Sequence, residues 1–380
     1  MQKIKVMTIF GTRPEAIKIA PLIKALENDN RFESIITITA QHREMLDQVL
    51  DVFEINPDFD LNIMEKNQTL ADITSNTLLG LNEVLSKVKS DIILVHGDTT
   101  TTFSASLAGF YHQIKIGHVE AGLRSWNKFS PFPEEINRQI TDMLTDLYFV
   151  PTLTSKKNLL LENRNRNKIY ITGNTAIDAM KYTVNANYKN DLIRKIGNHR
   201  MILVTMHRRE NFGQSMINVF RAINRLVKKH KDVEIVFPIH KSPKVRELAK
   251  LHLIISERAH IIEPLNVIDF QNFMSKSYFI MSDSGGVQEE ASSLGKPVLV
   301  LRNTTERPEG VSAGVLKLVG TEEEKVFHLA DVLLTDKKEY IKMSKISNLY
   351  GDGNASKRII NSIAFEFGMM DSRPKDWCIN

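Results

Sequence analysis

Three carboxylates lie at positions that suit a chemical reaction better than a hydrophobic core. Asp98 and Glu120 follow short apolar runs of the strand type, and Glu134 lies in the first turn of a helix that Pro133 opens. Carboxylates that crowd into one site cannot all ionise at their ordinary pKa, so at least one is expected to serve as an acid. With His207, which follows a strand in the second half of the chain, they form the predicted acid/base set.

Each of these acids also has a purely structural interpretation. Asp98 is placed to cap the threonine-rich helix start that follows it. Glu134, Arg138 and Asp142 are spaced i, i+4, i+8, which is the spacing of a salt-bridge ladder on a helix surface. Glu120 has the weakest structural alternative, because a strand rarely ends on a carboxylate close to a glycine for structural reasons alone.

Two strand-to-helix turns have the features of anion sites. Gly11 separates a strand from a helix start, where backbone N–H groups point outward, and Arg13 and Lys18 add positive charge. The spacing around Gly11 lacks the later glycines of a dinucleotide fingerprint and the lysine motif of a P-loop, which argues against both. The turn that begins at Ser284 is the stronger candidate for an anion site.

Ser284, Gly285 and Gly286 follow a strand and open a helix, so they are predicted to hold a diphosphate through backbone N–H groups and the helix dipole. Arg208, with Arg13, would supply bidentate positive partners. Glu290, one turn into the helix, is placed to accept hydrogen bonds from ribose hydroxyls. An ordinary tight turn is the structural alternative.

Four predicted strands end on or beside a histidine, and this shared location is more informative than any one histidine alone. In open parallel sheets, ligands bind beyond the carboxyl ends of the strands. Because each half of the chain contributes two of them, the halves are expected to face each other across a cleft. The four are His96, His118, His207 and His240.

The elements that must position these residues alternate between strand and helix, which predicts an α/β fold with parallel sheets covered on both faces. We predict two similar βα-repeating halves of comparable size, with the hinge between them at Gly173 and Asn174. On these grounds a last helical stretch, residues 355–367, fits either half. The predicted strands are residues 4–10, 34–40, 91–95, 114–119, 146–150 and 168–171 in the first half, and 201–206, 233–239, 278–281 and 298–301 in the second.

Composition narrows the function classes. The chain has 380 residues, 42% hydrophobic and 25% charged, with a net charge of +5, which suits an anionic small substrate and shows no concentrated basic block for nucleic acid. Cys378 is the only cysteine, so neither an internal disulfide nor a cysteine metal cluster can form. Without a signal-like start or a run of about 18 apolar residues, we expect a cytoplasmic protein that does not enter the membrane.

Seven motifs, in order along most of the chain, resemble those of the bacterial non-hydrolysing UDP-N-acetylglucosamine 2-epimerases. The resemblance implies a GT-B fold, in which two Rossmann-like domains, residues 1–172 and 173–363, face an interdomain cleft. It also implies a C-terminal helix, about residues 364–380, that packs back on the first domain. It also implies a homodimer without metal or cofactor. The motifs are residues 11–18, 96–100, 118–124, 133–135, 207–211, 283–290 and 304–309.

The implied reaction is the interconversion of UDP-GlcNAc and UDP-ManNAc by UDP elimination to 2-acetamidoglucal and re-addition, which supplies ManNAc units for cell-surface polysaccharide. The resemblance makes Asp98, Glu120 and Glu134 the proton-transfer groups around the sugar ring. It assigns His207 and Arg13 to the departing UDP, with Lys18 nearby. The other implied substrate-binding residues are Arg208, His240, Ser284, Gly285, Gly286, Glu290 and Arg307.

Many bacterial members of this family also bind a second UDP-GlcNAc as an activator, and the resemblance places Gln41, Glu134, Arg208 and His240 beside it. Here the chain departs from the family pattern. Glu44 stands where a glutamine is usual, and Asn67 where an arginine is usual. An added anion and a lost cation both disfavour a diphosphate, so we predict weaker or altered activation.

Three other functions are compatible with parts of this pattern. The nearest is a hydrolysing epimerase, which releases free N-acetylmannosamine. A GT-B glycosyltransferase would not need three carboxylates at the sugar end. A non-catalytic nucleotide-sugar sensor would keep the Ser284-Gly285-Gly286 turn but has no use for Asp98, Glu120 and Glu134 together.

Overall fold

A computed structural model of the chain describes residues 2–41, 43–254, 257–305, 307–344 and 348–378; the side chains of Glu44, Met45 and Arg209 also lie outside this description. The chain forms two compact units. The first contains Met1–Lys181 and Tyr350–Asn380, and the second contains Tyr182–Leu349. These borders differ from the predicted ones, residues 172/173 and 363/364, by about one helix at each end.

The first unit is built on a parallel sheet, which in the described residues has seven strands in the order β3-β2-β1-β4-β5-β6-β7. The strand order reverses between β1 and β4, which is where ligands bind in open α/β sheets. The strands are β1 (Ile4–Phe10), β2 (Phe32–Ile38), β3 (Phe59–Asp60), β4 (Ile92–His96), β5 (Lys115–Val119), β6 (Leu147–Val150) and β7 (Ile169–Ile171).

Helices cover this sheet because its strands are apolar on both faces. Met7 and Ile9 of β1 pack with Ile93 and Val95 of β4 in one buried cluster. The helices between the strands are α1 (Arg13–Glu27), α2 (Arg43–Phe53), α3 (Leu70–Lys87), α4 (Thr100–Tyr111), α5 (Glu134–Leu144), α6 (Leu153–Leu161) and α7 (Thr175–Thr183).

The second unit repeats the same topology with a parallel sheet, six-stranded in the described residues, in the order β10-β9-β8-β11-β12-β13. The strand order reverses between β8 and β11. The strands are β8 (Arg200–Thr205), β9 (Val233–Pro238), β10 (Ala259–Ile262), β11 (Phe279–Ser282), β12 (Val298–Val300) and β13 (Leu316–Leu318). The helices are α8 (Asp191–Ile196), α9 (Gln214–Lys229), α10 (Pro243–His252), α11 (Val267–Lys276), α12 (Gly285–Ser293), α13 (Pro308–Ser312), α14 (Glu323–Thr335) and α15 (Lys337–Ser344).

The last helix, α16 (Ala355–Glu366), belongs to the first unit. The Asp178 carboxylate of α7 accepts from the Ala355 and Ser356 backbone N–H groups at 3.1 and 2.8 Å, and so binds the helix start. The prediction of a helix over about residues 364–380 is wrong, because the helix ends at Glu366. Beyond it, an irregular segment brings the Trp377 N–H to 2.7 Å from the Ile171 carbonyl.

The predicted parallel α/β class is confirmed, and the differences are local. The predicted strand 34–40 ends at Ile38, since Ala40 has a φ of +54°, outside the strand region. The sequence reading missed β3, β10 and β13, which have two to four residues each and too few positions to show periodicity. No helix of the described residues is long and apolar enough to cross a membrane.

Candidate active site

Glu120 is held in a charged cluster at the carboxyl ends of β4 and β5. Its carboxylate lies 2.5 Å from the Lys18 ammonium of α1 and 3.4 Å from His96 Nε2. The backbone of Glu120 has a φ of +68°, a left-handed conformation that costs a residue with a Cβ about 1–2 kcal/mol. Strained, buried carboxylates of this kind are typical of functional sites.

His96 is neutral in this cluster. Burial lowers the pKa of its imidazole to about 3, which the charge of Glu120 opposes and the charge of Lys18 reinforces. Its Nε2 is buried without a hydrogen-bond partner among the described residues. Lys18 therefore supplies the positive charge next to Glu120, whereas His96 contacts Glu120 as an uncharged side chain.

Asp98 accepts a hydrogen bond from Arg138 Nη2 at 2.6 Å, and Asn137 Nδ2 donates to its backbone carbonyl at 3.0 Å. Both partners lie on α5. The suggestion that Asp98 caps α4 is wrong, because the N-cap is Thr99, whose hydroxyl accepts from the Thr102 N–H. Asp98 is thus oriented by a cation and remains partly exposed.

Glu134 lies in the first turn of α5, and its Oε2 is buried without a hydrogen-bond partner among the described residues. The salt-bridge ladder from Glu134 to Asp142 is not formed, since Arg138 pairs with Asp98 and approaches Glu135 instead. A buried oxygen without a partner is costly to leave unsatisfied. It is available to a bound molecule.

Two buried glutamates that the sequence reading did not assign hold the turns of the first unit. Glu135 accepts from the N–H groups of Ser125 and Trp126 at 3.0 and 3.1 Å. Glu15 accepts from the Gly11 and Thr12 N–H groups and from two threonine hydroxyls of the β4–α4 turn. Burial raises the pKa of Glu15 despite these hydrogen bonds. The capping spacing from Thr12 to Glu15 was the available sequence signal.

In the second unit, His207 and His240 form a stacked pair with ring centroids 5.7 Å apart. Asp283, fully buried, lies 3.2 Å from His207 Nδ1 and accepts from the N–H groups of His207 and Arg208. Burial raises the pKa of Asp283, but the hydrogen bonds and charge of His207 outweigh this and lower it. Asp283 is the residue of this site that the sequence reading underrated.

The predicted diphosphate turn has the expected local structure. Ser284 is the N-cap of α12 without a side-chain capping bond, so its hydroxyl is not used to close the helix. A Cβ at Gly285 would lie 3.0 Å from Arg307 Nη1, whereas Gly286 has open space around it. Arg307 donates to the Glu289 carboxylate at 2.9 Å, which fixes its guanidinium over Gly285.

The remaining predicted residues are placed as follows. Arg13 is the first residue of α1, half-buried beside Thr12, and Glu290 lies one turn into α12. Arg208 follows β8, and its Nε is buried without a partner among the described residues.

The predicted activator residues of the first unit are only partly described. Gln41 accepts from the Thr101 hydroxyl at 3.0 Å through its side-chain oxygen. Asn67 is exposed with a φ of +62°. The Glu44 side chain lies outside the described residues. No group of three or more metal-ligating side chains exists in the described part of the chain, and the expectation that no metal is needed stays a prediction.

The fold and the two sites define a class: an α/β enzyme of two Rossmann-like units, with carboxylates at the switch point of one sheet and a glycine-rich strand-to-helix turn at that of the other. A glycotransferase of kitacinnamycin, 9% identical with a TM-score of 0.65 over 96% of this chain and 100% of that one, shares this GT-B fold. The family model for UDP-N-acetylglucosamine 2-epimerase matches residues 24–364. The chain belongs to this family of isomerases, and its resemblance to the bacterial non-hydrolysing members is confirmed.

Two relatives illustrate the similarity. A UDP-N-acetylglucosamine 2-epimerase from Bacillus subtilis is 60% identical over 374 residues, which cover 98% of each chain. The crystal structure of a UDP-GlcNAc 2-epimerase from Neisseria meningitidis bound to UDP-GlcNAc is 49% identical. It has a TM-score of 0.89 and covers 95% of this chain and 100% of that one.

Proposed function

We propose that this isomerase interconverts UDP-GlcNAc and UDP-ManNAc by eliminating UDP to give 2-acetamidoglucal and then re-adding it. The observation that carries the proposal is the arrangement at the β4 and β5 strand ends. There, Glu120 is paired with Lys18, Asp98 with Arg138, and a buried Glu134 oxygen has no partner among the described residues. The bound UDP-GlcNAc of the Neisseria relative supports the choice of substrate.

In the elimination, one carboxylate takes the proton from C2, the C1–C2 double bond forms, and the C1–O bond breaks with its electron pair leaving on UDP. In the return step UDP re-adds to C1, and a second group protonates C2 from the opposite face. Asp98, Glu120 and Glu134 are the acids and bases for these transfers. Lys18, at 2.5 Å, favours the ionised form of Glu120 and therefore its use as an acceptor.

The second unit holds UDP in this proposal. Departing diphosphate gains negative charge, which the α12 N-terminus, Arg208 and Arg307 stabilise in a region where Gly285 lets them approach closely. His207 stabilises the leaving UDP, with Asp283 setting its orientation.

One experiment tests the reaction. The protein is incubated with UDP-GlcNAc in heavy water and followed by NMR. We expect UDP-ManNAc that carries deuterium at C2. Free N-acetylmannosamine would instead indicate hydrolysis. Absence of exchange, with UDP-GlcNAc consumed only when an acceptor is added, would indicate a transferase, and no change under any condition would indicate a sensor.

Activation by a second UDP-GlcNAc is expected to be weak, since Glu44 and Asn67 replace residues that favour a diphosphate. Initial rates are measured with UDP-ManNAc as substrate, with and without added UDP-GlcNAc. Strict dependence on added UDP-GlcNAc would contradict this expectation. The double variant Glu44→Gln, Asn67→Arg should increase the dependence.

We also infer a homodimer formed through α3 and α4 of the first unit. These helices lie side by side, and Leu79, Phe110 and Tyr111 are 66%, 56% and 64% exposed. Exposed apolar patches of this kind mark interfaces. Light scattering should show a dimer that Tyr111→Glu dissociates. The control Leu251→Glu, at an exposed leucine of the second unit, should leave the dimer intact.

We place the enzyme in the cytoplasm, where it supplies ManNAc units for cell-surface polysaccharide.

A further inference from the structure

Asp142 is a fully buried carboxylate of α5 that the proposed reaction does not use directly. Its Oδ1 lies 2.7 Å from His118 Nδ1. Its Oδ2 accepts from Arg124 Nη2 at 2.7 Å and from the Gly122 N–H at 3.2 Å. Three donors therefore converge on one side chain, two of them from the segment that directly follows Glu120.

His118 extends this network to the segment that carries Asp98. Its second nitrogen, Nε2, lies 2.7 Å from the Gly97 carbonyl, and the ring is fully buried. Both partners, a carboxylate and a carbonyl, can only accept hydrogen bonds, so the imidazole donates from both nitrogens. The ring thus joins Asp142 to the peptide immediately before Asp98.

Asp142 is also on the same helix as the third carboxylate. It lies eight residues after Glu134 and four after Arg138, and positions i, i+4 and i+8 share one helix face. Arg138 binds Asp98 directly, at 2.6 Å. A shift of α5 would therefore move Glu134, the partner of Asp98 and the anchor of the Glu120 turn together.

We propose that Asp142 is the positioning residue of the proton-transfer site, which through His118 and Gly122 holds the segments carrying Asp98 and Glu120 in register with Glu134 on its own helix. The inference rests on the proposed function of these three carboxylates. Asp142 touches no reacting atom in this account. It acts by fixing the relative positions of groups whose misplacement by about 1 Å costs about 100-fold in rate.

The electrostatics agree with this role. Burial raises the pKa of Asp142, but the charges and hydrogen bonds of His118 and Arg124 outweigh burial and lower it. Arg124 is in turn held by Glu162 through two hydrogen bonds of 2.6 and 2.8 Å. The network therefore runs from Asp142, which is fully buried, through Arg124 to Glu162, which is partly exposed.

The test compares Asp142→Asn with Glu162→Gln, which alters the same network at its outer end and leaves the contacts of Asp142 with His118 and Gly122 intact. For Asp142→Asn we expect kcat for UDP-GlcNAc epimerisation to fall about 100-fold, with a displaced pH profile of kcat. KM and the Kd for UDP should stay within about twofold, since most of the residues assigned to UDP lie in the second unit. Glu162→Gln should change only thermal stability. Equal kcat and unchanged pH profiles in the two variants would overturn the proposal.

A second variant keeps the proposal testable if Asp142→Asn does not fold. His118→Gln retains a donor for only one of the two acceptors, so amide hydrogen exchange of residues 97–102 and 120–125 should quicken while the second unit is unchanged. Unaltered exchange in both segments would overturn the proposal, whatever the activity. If wild-type protein fails to epimerise UDP-GlcNAc, the proposed function fails, and the exchange result still reports separately on positioning.

Discussion

A buried carboxylate binds the backbone amides after the first strand of each unit, yet the two acids behave in opposite ways. Glu15 accepts from the Gly11 and Thr12 N–H groups, and Asp283 from those of His207 and Arg208. Burial raises the pKa of Glu15, whereas His207 and its hydrogen bonds reverse the effect of burial and lower that of Asp283.

The difference follows from the element that carries each acid and from the side chains that the acid contacts. Glu15 comes from the helix that follows the strand, and it also accepts hydrogen bonds from two threonine hydroxyls. Asp283 comes from the neighbouring strand end and faces a histidine that is half-exposed to solvent. The same topology thus supports a carboxylate with a raised pKa in one unit and one with a lowered pKa in the other, because the partners of each buried acid decide the sign of its pKa shift.

The largest expected effect separates chemistry in the first unit from binding in the second. Glu120→Gln should lower kcat by about 10²- to 10⁴-fold, as expected for loss of a proton-transfer group, with little change in the Kd for UDP. Steady-state kinetics and calorimetry with UDP give the two numbers. The control is Glu27→Gln, an exposed acid of α1 paired with Lys24. A Kd that rises as much as kcat falls would contradict the division of roles.

The two anchoring acids should differ in stability. Asp283→Asn replaces a buried anion that accepts from the N–H groups of His207 and Arg208 and from Asn211, and should reduce the free energy of unfolding by about 3 kcal/mol, since hydrogen bonds to a charged group are the stronger kind. Glu15→Gln removes hydrogen bonds only to neutral donors and should cost about 1–3 kcal/mol. Urea unfolding at pH 7.5 measures both. Equal losses would contradict a stronger contribution from the partners of Asp283.

The proposed UDP site of the second unit should be sensitive to a single methyl group. In Gly285→Ala the new Cβ would lie 3.0 Å from Arg307 Nη1, so the guanidinium must move away from the diphosphate. Loss of one charge-assisted hydrogen bond should weaken UDP binding about tenfold, measured as Kd. Ser293→Ala, at the other end of α12, is the matched control and should bind UDP normally.

The smallest effect concerns acid stability of the first unit. The folded-state pKa of His96 is about 3, below its ordinary value of 6.5. The unfolded chain therefore gains a proton that the folded chain does not, and stability falls as pH drops from 6.5 towards 3. His96→Gln should remove about 1 kcal/mol of the loss between pH 7.5 and 5.5. His112→Gln is the control. If the free energy of unfolding of His96→Gln, measured with urea, depends on pH as it does in the wild type, a group other than His96 causes the loss.

The motif residues were predictable because strand ends and helix starts are local features. Glu120, Ser284 and Gly285 were all found at the expected ends of elements. The anchors were not found, because Glu135, Glu15 and Asp283 act on backbone amides whose need for a partner depends on burial. The periodicity of the sequence does not show which backbone amides are buried and require a hydrogen-bond partner.

The sequence alone determined the parallel α/β class, the family and the positions of the acids relative to strand ends, since these depend on short-range patterns. Only the tertiary structure decided what each acid touches. Glu134, Arg138 and Asp142 do not form the predicted ladder, because the strand ends bring Asp98 and His118 to the same helix face. Arg138 therefore pairs with Asp98, and Asp142 with His118. Partner choice for a buried charge is set by what packs against it, and residues 20–40 apart in sequence supplied those partners here.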